Sequence, residues 1–175
     1  MNRVILVGFM GAGKTTVGKA LAKDLGIDFY DLDWYIESRR RKTVPQLFAE
    51  YGEEGFRKIE HYMLHEAAEF ENIVLSCGGG TPCWSDNMDY LNRQGDTIYL
   101  KAAPEVIATH LRMGKTVRPL LAEKTPEERE TYIQQELEKR APIYEKAHYT
   151  LDVSLMDSYD KIQITVQQIR NLLAI

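Results

Sequence analysis

Lys14 and Thr15 close the run Gly8-Phe9-Met10-Gly11-Ala12-Gly13-Lys14-Thr15, a gap-free match to G-x-x-x-x-G-K-[ST]. The apolar stretch Val4–Val7 precedes it, and a helical pattern with Val17, Leu21, Ala22 and Leu25 on one face follows. In that strand–loop–helix setting a glycine-rich loop cradles phosphates. The loop N–H groups and the helix N-terminus both direct partial positive charge inward. Gly11, Ala12, Gly13 and Thr16 supply backbone to the phosphates. Lys14 bridges the β- and γ-phosphates of a nucleoside triphosphate, and the Thr15 hydroxyl ligates its Mg2+. The run predicts a nucleotide site.

Many sites of this kind take a second magnesium partner from an acidic residue at the end of another strand. The strand Ile73–Cys77 runs instead into Gly78-Gly79-Gly80, so the carboxylates must come from Asp31 and Asp33 at the end of Ile27–Leu32. Residues two apart on an extended chain face the same side, which predicts both carboxylates in one crevice. Asp31 is assigned to the metal and Asp33, nearer the mouth, to a hydroxyl of the acceptor. Three consecutive glycines are costly in backbone entropy and demand a reason. Cys77 and Cys83 match no zinc spacing and read as packing thiols. His61 and His65 lack the glutamate of a zinc-protease motif and read as ordinary helix positions.

These residues need a scaffold, and the apolar pattern supplies one. Val4–Val7, Ile27–Leu32, Ile73–Cys77, Thr97–Leu100 and Tyr149–Val153 predict five short strands. Helices are predicted at Thr15–Leu25, Glu54–Phe70, Ser85–Gln94, Pro104–Met113 and Tyr159–Leu173. Thr43-Val44-Pro45-Gln46 and Thr125-Pro126-Glu127-Glu128 begin two more, the first stopped by Gly52 and the second reaching about Lys146. Strands alternating with helices predict an α/β fold. It is a P-loop NTPase-type five-stranded parallel sheet with helices on both faces and ligands outside the strands' carboxyl ends. Gly8–Gly13, Asp31–Asp33 and Gly78–Gly80 all fall at such ends.

At 175 residues the chain is expected to form one domain, 1–175, with a helical substrate segment at 33–61 and a lid loop at 113–125. A net charge of −4 argues against a nucleic-acid partner. The basic run Arg39–Lys42 reads as a solvated helix end. No apolar run is long enough to span a bilayer, and the N-terminus lacks a signal peptide's plan, so a cytoplasmic protein is expected.

GFMGAGKTTVGKALA, DLD, GEEGFRKIE, CGGG and RPLL occur in that order along nearly the whole chain. The ordered set resembles the shikimate kinase family. The resemblance implies a monomeric kinase that phosphorylates a ring hydroxyl of shikimate with Mg·ATP, in aromatic amino-acid biosynthesis. It implies that Arg57 and Arg140 fork onto the substrate carboxylate, as arginine pairs do, and that Asp33 accepts from substrate hydroxyls. Gly79 would donate its N–H to substrate, with Gly78 and Gly80 forming the rest of a bare floor on which the ring lies. Arg118, in the RPLL lid, would stabilise charge on the transferring phosphoryl group, and Arg112 would lie against the adenine. Lys14, Asp33 and Arg118 are then the catalytic set.

Two other readings make different demands on the residues. A related small-molecule kinase would take gluconate or a nucleoside monophosphate as acceptor. The arginine pair, DLD and the glycine triplet favour shikimate. A nucleotide-binding module without catalysis would leave a gap among Lys14, Thr15, Asp33, Arg57, Arg118 and Arg140, and all six are present.

Overall fold

The computed structural model describes residues 2–114 and 121–175. Five parallel strands form one sheet in the order β2-β3-β1-β4-β5. They are β1 (Arg3–Val7), β2 (Asp28–Asp31), β3 (Ile73–Ser76), β4 (Asp96–Ala102) and β5 (Tyr149–Val153). The central strands are the most apolar: Val4–Val7 and Ile73–Leu75 are all buried. Each such side chain contributes about 1.5–3 kcal/mol when taken out of water, so continuous apolar runs settle in mid-sheet, where both faces are covered.

Register aligns the strand ends. Leu6 pairs with Ser76 and Ser76 with Asp31, so the segments that follow β1, β3 and β2 emerge side by side. The Cys77 N–H extends this ladder by donating to the Leu6 carbonyl at 3.1 Å. The three unusual segments of the sequence therefore share one edge of the sheet.

The helices are α1 (Lys14–Leu25), α2 (Leu32–Arg40), α3 (Val44–Ala67), α4 (Asn87–Gln94), α5 (Pro104–Met113), α6 (Pro126–Tyr144) and α7 (Tyr159–Leu173). Both expected capping boxes are formed, at Thr43 with Gln46 and at Thr125 with Glu128. The two helical segments expected either side of Gly52 form one kinked α3. Gly52 sits at φ 72°, where a β-carbon is strained, and helical geometry resumes immediately after it. The basic run does end a helix. Arg41 caps α2 in left-handed geometry, and Arg39 pairs with Glu66 at 3.1 Å.

Two local expectations are corrected. The extended chain stops at Asp31, and Asp33 lies in the first turn of α2 rather than on a strand. Asp31 is itself the cause: its Oδ1 accepts the Trp34 N–H at 3.2 Å, an N-cap that turns strand directly into helix. Helix α4 begins at Asn87, not Ser85. Pro82 sits in a 3-10 turn, Thr81–Cys83, and Ser85 is at positive φ. Among the described residues no helix is long and apolar enough to cross a membrane.

Candidate active site

The loop after β1 is folded around its lysine. Lys14 is buried, and its Nζ donates to the carbonyls of Gly8 at 2.7 Å and Phe9 at 2.8 Å. Beside it the Thr15 hydroxyl donates to Asp31 Oδ2 at 3.0 Å. Asp31 thus serves two partners, the α2 N-terminus through Oδ1 and Thr15 through Oδ2. The helix start that displaced Asp33 from the strand leaves Asp31 at the P-loop. Asp33 stays near the crevice: a β-carbon on Gly78 would stand 3.5 Å from its Oδ1.

The triple glycine is crowded by protein. A β-carbon on Gly80 would lie 2.3 Å from Arg57 Nη2. One on Gly79 would lie 3.0 Å from the Met10 N and 3.4 Å from Arg140 Nη1. In sequence, the bare floor reads as room for a ligand ring. The structure supplies another reason: the arginines and the P-loop backbone already press against these positions. None of the three residues has the positive φ that would explain glycine by backbone geometry.

Arg57 and Arg140 approach this floor from two helices. Arg57, on α3, donates through Nη1 to Glu60 Oε1 at 2.8 Å, and the second Glu60 oxygen accepts from Thr81 Oγ1 at 2.9 Å. Glu60 is 1% exposed, so this buried carboxylate has a partner on each oxygen. Arg140, on α6, pairs with Glu136 at 3.4 Å and lies over the Phe9 ring at 5.4 Å. The two guanidiniums line a cavity of about 450 Å3 together with Gly80, Cys83, Trp84, Glu53 and Glu54. Stacked Phe48 and Phe56 stiffen the α3 side, their centroids 4.3 Å apart. Such a cavity fits a small polar acid.

Several contributors have no signature in the sequence. The buried Tyr144 hydroxyl donates to the Gly79 carbonyl, and burial pushes its pKa up, so it remains a donor. His110, on α5, bridges the Gly11 carbonyl, at 2.7 Å from Nδ1, and the Met156 N–H, at 2.8 Å from Nε2. The Met156 N–H can only donate, so Nε2 accepts and the proton of the ring sits on Nδ1. These contacts join distant segments, and no local spacing announces them.

Cys77 is buried beneath the floor, and desolvation raises its pKa far above the usual thiol range. Cys83 is raised in the same direction by burial. Both are free and un-ionised, as packing thiols are. The His61 and His65 rings lie against one another, centroids 4.3 Å apart and planes tilted by 50°. No group of three or more metal-ligating side chains occurs among the described residues. Arg112 is exposed and donates to its own helix, at Thr109 Oγ1. Arg118, with residues 115–120 of the expected lid, lies outside the described residues.

A triphosphate loop beside a cavity with paired arginines describes a kinase for a small anionic acceptor, and sequence comparison identifies which family. The family model "Shikimate kinase" matches residues 10–172. The chain belongs to the shikimate kinase family. The shikimate kinase of Phocaeicola vulgatus is 50% identical over 173 residues, covering 99% of each chain. The crystal structure of shikimate kinase from Bacteroides thetaiotaomicron superposes with a TM-score of 0.95 at 49% identity, covering 99% of both chains. That of the Acinetobacter baumannii enzyme in complex with shikimate gives 0.87 at 34% identity, covering 99% of this chain and 94% of the other. Membership makes the chain an ATP-dependent kinase.

Proposed function

We propose that this shikimate kinase family member transfers the γ-phosphoryl group of ATP to the 3-hydroxyl of shikimate, giving shikimate 3-phosphate and ADP. The observation that carries the reading is the approach of Arg57 and Arg140 to adjacent glycines, Gly79 and Gly80, against the P-loop backbone. Paired guanidiniums recognise a carboxylate by charge-assisted hydrogen bonds and fix its orientation. They would hold the acid end of the substrate while its far hydroxyls reach Asp33 and the phosphates.

Phosphoryl transfer asks the protein mainly for positioning and charge stabilisation. Lys14 would exchange its loop carbonyls for phosphate oxygens, neutralising charge on the transferring group. Asp33 would orient the attacking hydroxyl and accept its hydrogen bond. Gly11, Ala12, Gly13 and Thr16 would wrap the phosphates with backbone N–H groups. Arg118 is assigned to phosphoryl-group charge, and Arg112 to the adenine, on the family resemblance alone.

Thr15 and Asp31 fit Mg2+. Both offer hard oxygen donors, and their 3.0 Å separation is close to an octahedral edge for metal–oxygen bonds of about 2.1 Å. Bound there with ATP, the ion would supply charge neutralisation of the phosphates.

The deciding measurement is calorimetric titration of shikimate with and without a non-hydrolysable ATP analogue, beside a coupled ADP-release assay on shikimate and gluconate. Saturable shikimate binding and shikimate-dependent ADP release are expected. Turnover on gluconate with none on shikimate would overturn the substrate assignment.

A further inference from the structure

Two buried polar residues behind the glycine floor make a set of directed contacts that the reaction itself does not require. Asn87 is 0% exposed, and its Nδ2 donates to the Thr81 carbonyl at 2.9 Å. That carbonyl can only accept, so the amide orientation is fixed and Oδ1 must be an acceptor toward its other neighbour. The neighbour is His61 Nδ1 at 2.7 Å, which therefore carries a proton. Thr81 is also 0% exposed, and its hydroxyl donates to Glu60 Oε2 while Glu60 Oε1 accepts from Arg57.

Arg57, Glu60 and His61 all stand on α3. Thr81 and Asn87 stand on the segment that follows the glycines. Glu60–Thr81 and His61–Asn87 are thus two bolts between the same pair of elements. Between them they set the spacing between the Arg57 guanidinium and Gly80, where no β-carbon could fit. We propose that Thr81 and Asn87 are positioning residues of the acceptor subsite, holding Glu60 and through it Arg57 in the orientation that grips the substrate carboxylate. The proposal rests on the assignment of Arg57 to that carboxylate.

The two bolts carry no proton of their own into the chemistry. The donation from His61 Nδ1 to Asn87 Oδ1 is the second half of this clamp. Loss of the clamp is felt at the acceptor subsite, because Glu60 with one partner gone is a buried carboxylate free to swing.

The test uses the full chain with Thr81→Val, which keeps the shape and removes the hydroxyl, Thr81→Ser, which keeps the donor, and Asn87→Asp, which removes the amide donor. Thr81→Val is expected to raise the shikimate KM about tenfold or more, the size of a lost hydrogen bond to a charged group, and Asn87→Asp to move it in the same direction. The ATP KM should move less than about twofold, and Thr81→Ser should recover most of the loss. In an Arg57→Ala background Thr81→Val should add almost nothing, since it acts through the missing guanidinium. Equal rises in both KM values, or an undiminished Thr81→Val effect without Arg57, would overturn the proposal. An independent readout needs no turnover. The Arg57 Nη–H signal in 15N NMR should be sharp and slow to exchange in the parent and in Thr81→Ser, and broadened in Thr81→Val and Asn87→Asp. An unchanged signal in both would sink the clamp. A sharp parent signal in a chain that ignores shikimate would sink the substrate reading instead.

Discussion

Gly80 and Arg57 occupy one another's space: a β-carbon on residue 80 would stand 2.3 Å from Nη2 of the guanidinium. The floor and the arginine are therefore a single fitted unit. Gly80→Ala must push Arg57 off Glu60, because the backbone of the turn cannot yield as cheaply as a side-chain end. The expected outcome is a shikimate KM raised about tenfold, one lost charge-assisted bond. An unchanged ATP KM should accompany it, with a melting temperature lowered by the partner that buried Glu60 loses. A loss shared equally between the two substrates would show that the whole P-loop had moved.

Arg57→Ala removes the guanidinium itself. Shikimate binding should weaken by about 1.5–3 kcal/mol, with ATP-analogue binding little changed. Calorimetry reads both. The same change leaves Glu60 with Thr81 alone, a cost to folding, so Arg57→Ala/Glu60→Gln should be more stable to heat than Arg57→Ala. Matching melting temperatures would show that the Glu60 charge carries no such penalty.

What could be seen in the sequence was what repeats or runs locally. The P-loop, five strands and both capping boxes lie within short windows, where spacing alone sets the geometry. Asp33 reads as the end of a strand in sequence because strand and cap compete for the same residues. The Asp31 side chain won by accepting the Trp34 N–H. The glycine triplet was recognised as meaningful, but its crowding by Arg57 and Met10 depends on packing across three elements. Tyr144, His110 and Asn87 act through bonds to backbone or side chains outside their own elements, a relation that no period or motif encodes.

Thr15 and Asp31 should act together toward magnesium. Thr15→Val deletes the proposed Mg2+-binding hydroxyl, which is also the donor to Asp31 Oδ2, and Asp31→Asn deletes a charge and retains an N-cap acceptor. Each should raise the Mg2+ concentration needed for half-maximal activity, with the double variant losing less than the product of the two. Activity titrated against free Mg2+ at saturating shikimate measures this. A requirement unchanged in both single variants would place the ion elsewhere.

His110 joins the P-loop to the segment after β5 through opposite ring nitrogens. His110→Ala leaves the Gly11 carbonyl and the Met156 N–H without that bridge. The ATP KM should rise about three- to tenfold for a net loss of about 1 kcal/mol or slightly more. The shikimate KM should stay within about twofold. Steady-state kinetics varied in each substrate separate the two, and a rise confined to shikimate would refute the role.

His65 gives the fold an acid-sensitive point away from the site. Its ring stacks on Tyr90 at 3.7 Å, and its buried Nε2 has no hydrogen-bond partner among the described residues. Burial, reinforced by the neighbouring His61, lowers its pKa from the ordinary 6.5. Asp86 and Glu69 oppose that shift, and Arg93 adds to it. The folded state thus holds fewer protons than the unfolded chain between the lowered value and 6.5. In that window the stability contributed by neutral His65 is fully present above pH 6.5 and is lost as pH falls. Melting temperature followed from pH 7.5 to 5 should fall through this range, and His65→Phe, which keeps the ring stack but cannot titrate, should fall less. Parallel acid limbs in the two proteins would assign the sensitivity to other groups.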